Sequence, residues 1–87
     1  MLLAGKKAIV TGGARGIGKE IVLDFLREGA TVYFLDLNPS EYLSQMEQAA
    51  GAGGGKVFFK KADVSQAAEV SRIVEEIVGE SGGIDIL

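Results

Sequence analysis

The residues best suited to chemistry form a short glycine-rich run, Thr11-Gly12-Gly13-Ala14-Arg15-Gly16-Ile17-Gly18. The run follows the apolar stretch Ala8-Ile9-Val10 directly and opens into a segment of helical period. In that setting each glycine has a physical task. Gly12 permits a sharp turn after a strand, Gly16 lets the backbone approach a diphosphate with no Cβ in the way, and Gly18 lets a helix lie close to a sheet. The helix start presents unpaired N–H groups and the positive end of its dipole, which suits an anion. Ala14, Arg15 and Ile17 share the turn and belong to the same candidate site. The spacing is not G-x-G-x-x-G, and no Gly-Lys-Ser/Thr ending marks an ATPase phosphate loop. Such glycines alone would equally make a structural turn. The flanking strand and helix favour anion binding.

The elements that must hold this turn alternate between strand and helix. Ala8-Ile9-Val10 is a buried strand by its short apolar run. Ile17, Ile21, Val22, Phe25 and Leu26 recur at helical spacing and make one apolar face, and Gly29 suits a left-handed helix stop. Thr31 to Leu35 is β-branched and aromatic, hence a second strand. Ser40 is placed to cap a helix over residues 41–50 with Leu43 and Met46 inward, and the glycines from Gly51 to Gly55 end it as a flexible loop. Val57-Phe58-Phe59 is a third strand. Ser65 has the character of an N-cap for a helix carrying Ala67, Val70, Ile73, Val74, Ile77 and Val78, which Gly82-Gly83 closes. Residues 84–87 begin a fourth strand. Strands separated by helices with right-handed crossovers predict an α/β fold with a parallel sheet of order 3-2-1-4, half of a doubly wound fold.

Three stretches carry a family resemblance. Thr11-Gly12-x-x-x-Gly16-Ile17-Gly18 is similar to the T-G-x-x-x-G-I-G motif of the short-chain dehydrogenases/reductases. Ala62-Asp63-Val64 resembles the D-V pair that follows their third strand, and Gly83 to Leu87 resembles the run into their fourth. The resemblance spans the chain and implies a Rossmann-like, NAD(P)-binding domain over residues 1–87. It also implies that Asp63 and the backbone beside Val64 meet the adenine ring of the cofactor. In that family the N-N-A-G segment, and then the catalytic serine, tyrosine and lysine, come further along than Leu87. The expectation is therefore the amino-terminal, cofactor-binding portion of an oxidoreductase acting on hydroxyl or carbonyl groups, catalytically incomplete as this chain. The alternatives are a non-catalytic nucleotide-binding or self-associating module, and a related domain for another nucleotide.

The choice of nucleotide turns on three residues. Asp36 ends the second strand, where a carboxylate accepts hydrogen bonds from both ribose hydroxyls of NAD and repels the 2′-phosphate of NADP. Leu37 follows, where many NADP-preferring relatives carry arginine. Arg15 argues the other way, because arginine before the second glycine grips the 2′-phosphate in such relatives. Like charge at short range is hard to escape, so the expected cofactor is NAD, with NADP as the alternative.

Composition excludes several other functions. The 87 residues suffice for one small domain. There is no cysteine and no histidine, which removes thiolate chemistry and the commonest general base. A net charge of −3 without a basic cluster argues against nucleic acid as partner. No apolar run reaches membrane-spanning length, and the start lacks a signal-peptide pattern, so a cytoplasmic location is expected. Neither Tyr33 nor Tyr42 is followed by lysine four residues on, as the family's Y-x-x-x-K requires. The neighbouring glutamates Glu75-Glu76, and Glu41 with Glu47, are expected to face water. An uncovered sheet edge and apolar surface lead us to expect self-association, a homo-oligomer.

Overall fold

The computed structural model describes residues 3–12, 16–37, 41–63 and 65–85, with the backbone alone at Ser81. Its elements are β1 (Lys7–Thr11), α1 (Gly16–Arg27), β2 (Thr31–Asp36), α2 (Leu43–Gly53), β3 (Lys56–Lys61) and α3 (Ala67–Ser81). The strands form one parallel sheet in the order β1-β2-β3. Lys7 stands opposite Thr31, and Thr31 opposite Lys56. The expected order 3-2-1 is therefore present. The fourth strand falls largely on Ile86 and Leu87, outside the described residues. Asp85 does return to β1, on the side turned away from β2. Its N–H donates to the Lys7 carbonyl at 2.8 Å, and its Oδ2 accepts from the Lys7 N–H at 2.9 Å.

Strand pleating divides the apolar residues between two cores. Ala8, Val32 and Phe34 point to one face and pack with Val22, Leu23 and Leu26 of α1 and Met46 and Ala50 of α2. Ile9, Tyr33 and Leu35 point to the other and pack with Ala62 and with Ile73 and Ile77 of α3. Helices on both sides of a parallel sheet explain why β2 is buried along four consecutive residues, Val32 to Leu35. Each large side chain so buried contributes on the order of 2 kcal/mol. Among the described residues no helix is long and apolar enough to cross a membrane.

Several local expectations need correction. The buried stripe of α1 is Val22, Leu23 and Leu26, whereas Ile17 is 82% and Ile21 39% exposed. Periodicity marks an apolar helix, but its apolar arc is wider than the part that β1, β2 and α2 cover. Helix α2 does not stop at Ala50. It runs through Gly51 and Gly53 and ends at Gly54 in the left-handed conformation, φ 82°. Ser40, its expected cap, lies outside the described residues, and Tyr42 occupies the N-cap position without a side-chain capping hydrogen bond.

The glycine tract is not a flexible loop. A Cβ on Gly53 would stand 2.0 Å from the Leu26 carbonyl oxygen, and one on Gly55 2.0 Å from that of Ala30. The two glycines let the end of α2 and the start of β3 lie directly against the backbone after α1. Gly29, at φ 92°, behaves as expected of a helix stop.

The glutamates of α3 are not simply solvated either. Lys60 of β3 reaches Glu76 at 3.3 Å and Glu80 at 3.2 Å, and Arg72 meets Glu76 at 3.8 Å. Burial alone would lower the Lys60 pKa. The hydrogen bonds and negative charge of Glu80 and Glu76 outweigh it, so the pKa is raised. The pair therefore adds its stabilisation below the ordinary lysine pKa and loses it as pH rises through the raised value.

Candidate functional site

Three chain exits line up at the carboxyl edge of the sheet. Leaving β1, Gly12 adopts φ 68°, a left-handed conformation that favours glycine. Its N–H donates to the Leu35 carbonyl at 2.8 Å, which stitches the turn to the end of β2. One residue further, the Asp36 carbonyl accepts the Ala62 N–H at 3.0 Å, which stitches β2 to the chain leaving β3. Gly12, Asp36 and Ala62-Asp63 are thereby held side by side, although they are far apart in sequence.

Helix α1 starts at the same edge. Its first residue, Gly16, has φ 64°. A Cβ on Gly12 or on Gly16 would meet no atom of the described residues within 4 Å. That separates them from Gly53 and Gly55, whose missing Cβ atoms make room for the protein's own backbone. At the mouth of β1 none of the described residues fills that space. It lies at the positive end of a twelve-residue helix. The residues present therefore fit a diphosphate carried by a dinucleotide. Gly18 lies in the first turn of α1, which packs against β1 and β2.

Asp36 shares the parity of Val32 and Phe34, so pleating places it on the α1 side of the sheet, toward the glycine turn. Its Oδ1 accepts the Leu37 N–H at 2.8 Å. Leu37 is 51% exposed beside it. Asp63 is held by several hydrogen bonds. Its Oδ1 accepts both the Ser65 hydroxyl at 2.6 Å and the Ser65 N–H at 3.0 Å. The Asp63 N–H donates to Glu69 Oε1 at 3.2 Å, and its carbonyl accepts the Gln66 N–H at 2.9 Å. The Ser65 side-chain hydrogen bond, followed by that from its backbone, lowers the Asp63 pKa against a smaller opposing effect of burial.

Of the residues singled out from sequence, Gly12, Gly16, Ile17, Gly18, Asp36, Leu37 and Asp63 fall at or next to this edge. Ala14, Arg15 and Val64 lie outside the described residues. Ser65 is not the N-cap of α3. Gln66 holds that place, with no side-chain hydrogen bond, and Ser65 serves Asp63 instead. The spacing Asp-x-Ser was the available sign, since aspartate commonly bonds the backbone two residues on. Tyr33 is buried and stacks on Phe58 with ring centroids 5.0 Å apart, a packing role. Lys19 holds its ammonium 4.2 Å over the Tyr42 ring, at a surface depression of about 500 Å³ beside Gly16 and Ile17. Among the described residues no cluster of acidic side chains could hold a metal ion.

A parallel sheet flanked by helices, with a glycine turn and a strand-end carboxylate at its carboxyl edge, defines the nucleotide-binding half of a doubly wound α/β protein. The short chain dehydrogenase family matches residues 6–87, and the chain belongs to that family. It is 42% identical over 86 residues to 3beta-hydroxysteroid dehydrogenase 2 of Eggerthella lenta, covering 99% of this chain and 33% of that one. It is 44% identical over 85 residues to a 3-oxoacyl-(acyl-carrier-protein) reductase of Chlamydia pneumoniae, covering 98% and 34%. A mutant of the Serratia marcescens short-chain dehydrogenase/reductase superposes with a TM-score of 0.83 at 37% identity, covering 99% of this chain and 36% of that one. An NADH-dependent reductase solved with NAD superposes at 0.81 and 29% identity, covering 97% and 35%. The chain thus spans about a third of the length of these relatives.

Proposed function

We propose that this chain binds a nicotinamide dinucleotide across the carboxyl edge of its sheet, as the cofactor-binding portion of a dehydrogenase or reductase of hydroxyl and carbonyl groups. The observation that carries the reading is the pair Gly12 and Gly16. Both are left-handed, both are open at the Cβ position, and both stand where α1 presents its bare N–H groups. The turn and the start of α1, including Ala14, Arg15, Ile17 and Gly18, hold the diphosphate. Asp36 and Leu37 flank the adenosine ribose, and Asp63 with the backbone of Val64 meets the adenine ring. The relative solved with NAD supports this assignment. When bound, the nicotinamide ring supplies the hydride chemistry. The residues of this chain bind and orient the cofactor.

NAD is the favoured ligand because Asp36 stands at the end of β2 with one carboxylate oxygen already turned onto its own chain. A 2′-phosphate beside it would meet like charge. The Asp36→Ala variant is expected to lower the ratio of NAD to NADP affinity by roughly tenfold or more, as loss of a short-range charge repulsion implies. Calorimetric titration with both nucleotides reads it. An unchanged ratio removes Asp36 from the ribose site.

The 87-residue polypeptide also has a tendency to self-associate. Beyond the two hydrogen bonds between Lys7 and Asp85, no strand among the described residues pairs with the side of β1 turned away from β2, and Ile17, Ile21 and Val78 are exposed. Free edges and apolar surface of this kind favour association. Light scattering across a concentration series is expected to report a mass above the monomer's. A monomer that persists at the highest soluble concentration rules this out.

A further inference from the structure

Strand β3 stands at the outer edge of the sheet, with β2 as its one partner among the described residues. Apart from that ladder, no backbone hydrogen bond among the described residues reaches 56–61. An edge strand of this kind leaves alternate N–H and C=O groups bare along its outer side, a template for another strand. The chain after α3 returns to the opposite edge, where Asp85 bonds Lys7 of β1. Lysine commonly blunts such an edge, and β3 carries Lys56, Lys60 and Lys61, three of the nine cationic residues in a chain of net charge −3. The three are not equivalent. Lys60 is neutralised by Glu76 and Glu80. Lys56 and Lys61 are exposed and enter no ion pair among the described residues, although Lys61 stands opposite Asp36 in the ladder. Apolar surface lies between them on both faces of the strand. On the α3 face Phe58 is 41% exposed while stacked on Tyr33. On the α2 face a groove of about 290 Å³ separates Glu47, Ala50 and Gly51 from the start of β3 at Val57. Blunting accounts for the lysines but not for an apolar ring and a groove beside the bare edge.

We propose that the outer edge of β3 is a docking site for an extended, acidic segment of a partner protein, which joins the sheet as a strand beside β3. Its main chain takes up the bare backbone groups, and its apolar side chains lie on Phe58 and in the groove by Val57. Carboxylates toward its two ends meet Lys56 and Lys61. In strand addition the main-chain hydrogen bonds supply affinity and the side chains supply selection. Charge decides the occupant here. Two copies of β3 paired antiparallel about the middle of the strand would set Lys56 against Lys61 at both ends, and like charges directly opposite destabilise a strand pair. An acidic segment replaces those repulsions with attractions. The proposal does not depend on the dinucleotide reading, and its test involves no nucleotide.

The test uses two labelled synthetic peptides of about seven residues, long enough to span β3 at roughly 3.3 Å per residue. Both alternate valine and threonine; one ends in glutamate on each side, the other in lysine. Each is titrated into the dilute 87-residue chain and followed by fluorescence anisotropy, with hydrogen exchange of the backbone amides read alongside. The glutamate peptide is expected to bind about tenfold or more tighter than the lysine peptide at low salt. Molar salt should remove most of that preference. Exchange of amides within 56–61 should slow on binding. Lys56→Glu combined with Lys61→Glu is expected to reverse the preference, and both side chains are exposed, so circular dichroism should show an unchanged fold. If the double variant does not fold, the salt dependence and the peptide comparison on wild type still decide. No binding of the glutamate peptide refutes the proposal. Equal binding of the two peptides rejects an acidic partner, and protection that appears at β1 instead of β3 rejects the site. Protection of β3 that grows with chain concentration in the absence of peptide identifies a second copy as the occupant and overturns the proposal.

Discussion

The Gly16→Val variant is expected to lose dinucleotide binding, by about a hundredfold or more, while remaining folded. Gly16 has φ 64°, and a β-branched residue in that conformation is strained by about 1–3 kcal/mol. The variant has two ways to respond, and both damage the site. If the backbone keeps its shape, the valine side chain occupies the open space where a diphosphate would lie, since a Cβ there meets nothing of the described residues within 4 Å. If the backbone relaxes, the N–H groups at the start of α1 turn away. Gly54→Ala separates strain from site. It is also left-handed, at φ 82°, and also open, but it caps the far end of α2. Its cost is on the order of 1 kcal/mol of stability, with binding unchanged. Calorimetry with NAD, alongside circular dichroism of the variants, makes the comparison. Folded Gly16→Val protein that binds NAD as wild type does would end the assignment of the glycine turn.

The largest loss of stability is expected from Gly53→Ala. The added Cβ would stand 2.0 Å from the Leu26 carbonyl oxygen and 2.9 Å from that of Arg27. Both atoms are backbone, so nothing flexible can give way, and α2 must move off α1. Met46 and Ala50 of α2 share a core with Val22, Leu23 and Leu26, so the displacement opens that core. Overpacking of this severity costs about 3 kcal/mol or more. A domain this size has only about 5 kcal/mol in total, so much of its stability is at stake. Gly51→Ala, two residues earlier in the same helix, is the control. Its Cβ meets nothing of the described residues within 4 Å, and alanine there is expected to add about 0.5–1 kcal/mol. Denaturant unfolding of the pair checks both signs. A Gly53→Ala midpoint equal to wild type would mean that the helices do not approach so closely.

The contrast among glycines measures how much was legible beforehand. At Gly12 and Gly29 the neighbours in sequence already state the requirement. A strand ends in a sharp turn or a helix stops, and the backbone needs a left-handed residue there. Gly53 and Gly55 sit in a tract whose composition suggests flexibility. They instead admit a neighbouring backbone, and the obstructing atoms belong to Leu26 and Ala30, more than twenty residues away. Local composition has no means of distinguishing a glycine that bends from one that merely leaves room. Ser65 follows the same logic on a smaller scale. Its type suits a helix cap, and only the path of the chain after β3 decided that its hydroxyl turns back to Asp63.

By itself, then, the order of residues determined the alternation of strand and helix, the turn at the end of β1, and the carboxylate at the end of β2. Each depends on interactions within a few residues: pleat and helical period, the sterics of φ, the placement of charge at a strand's end. Tertiary structure decided which stripe of α1 is buried, which glycines admit a neighbouring backbone, and how the turn, Asp36 and Asp63 come to stand side by side. Those outcomes depend on hydrogen bonds and close packing between segments distant in sequence, and they exist only once the sheet has assembled.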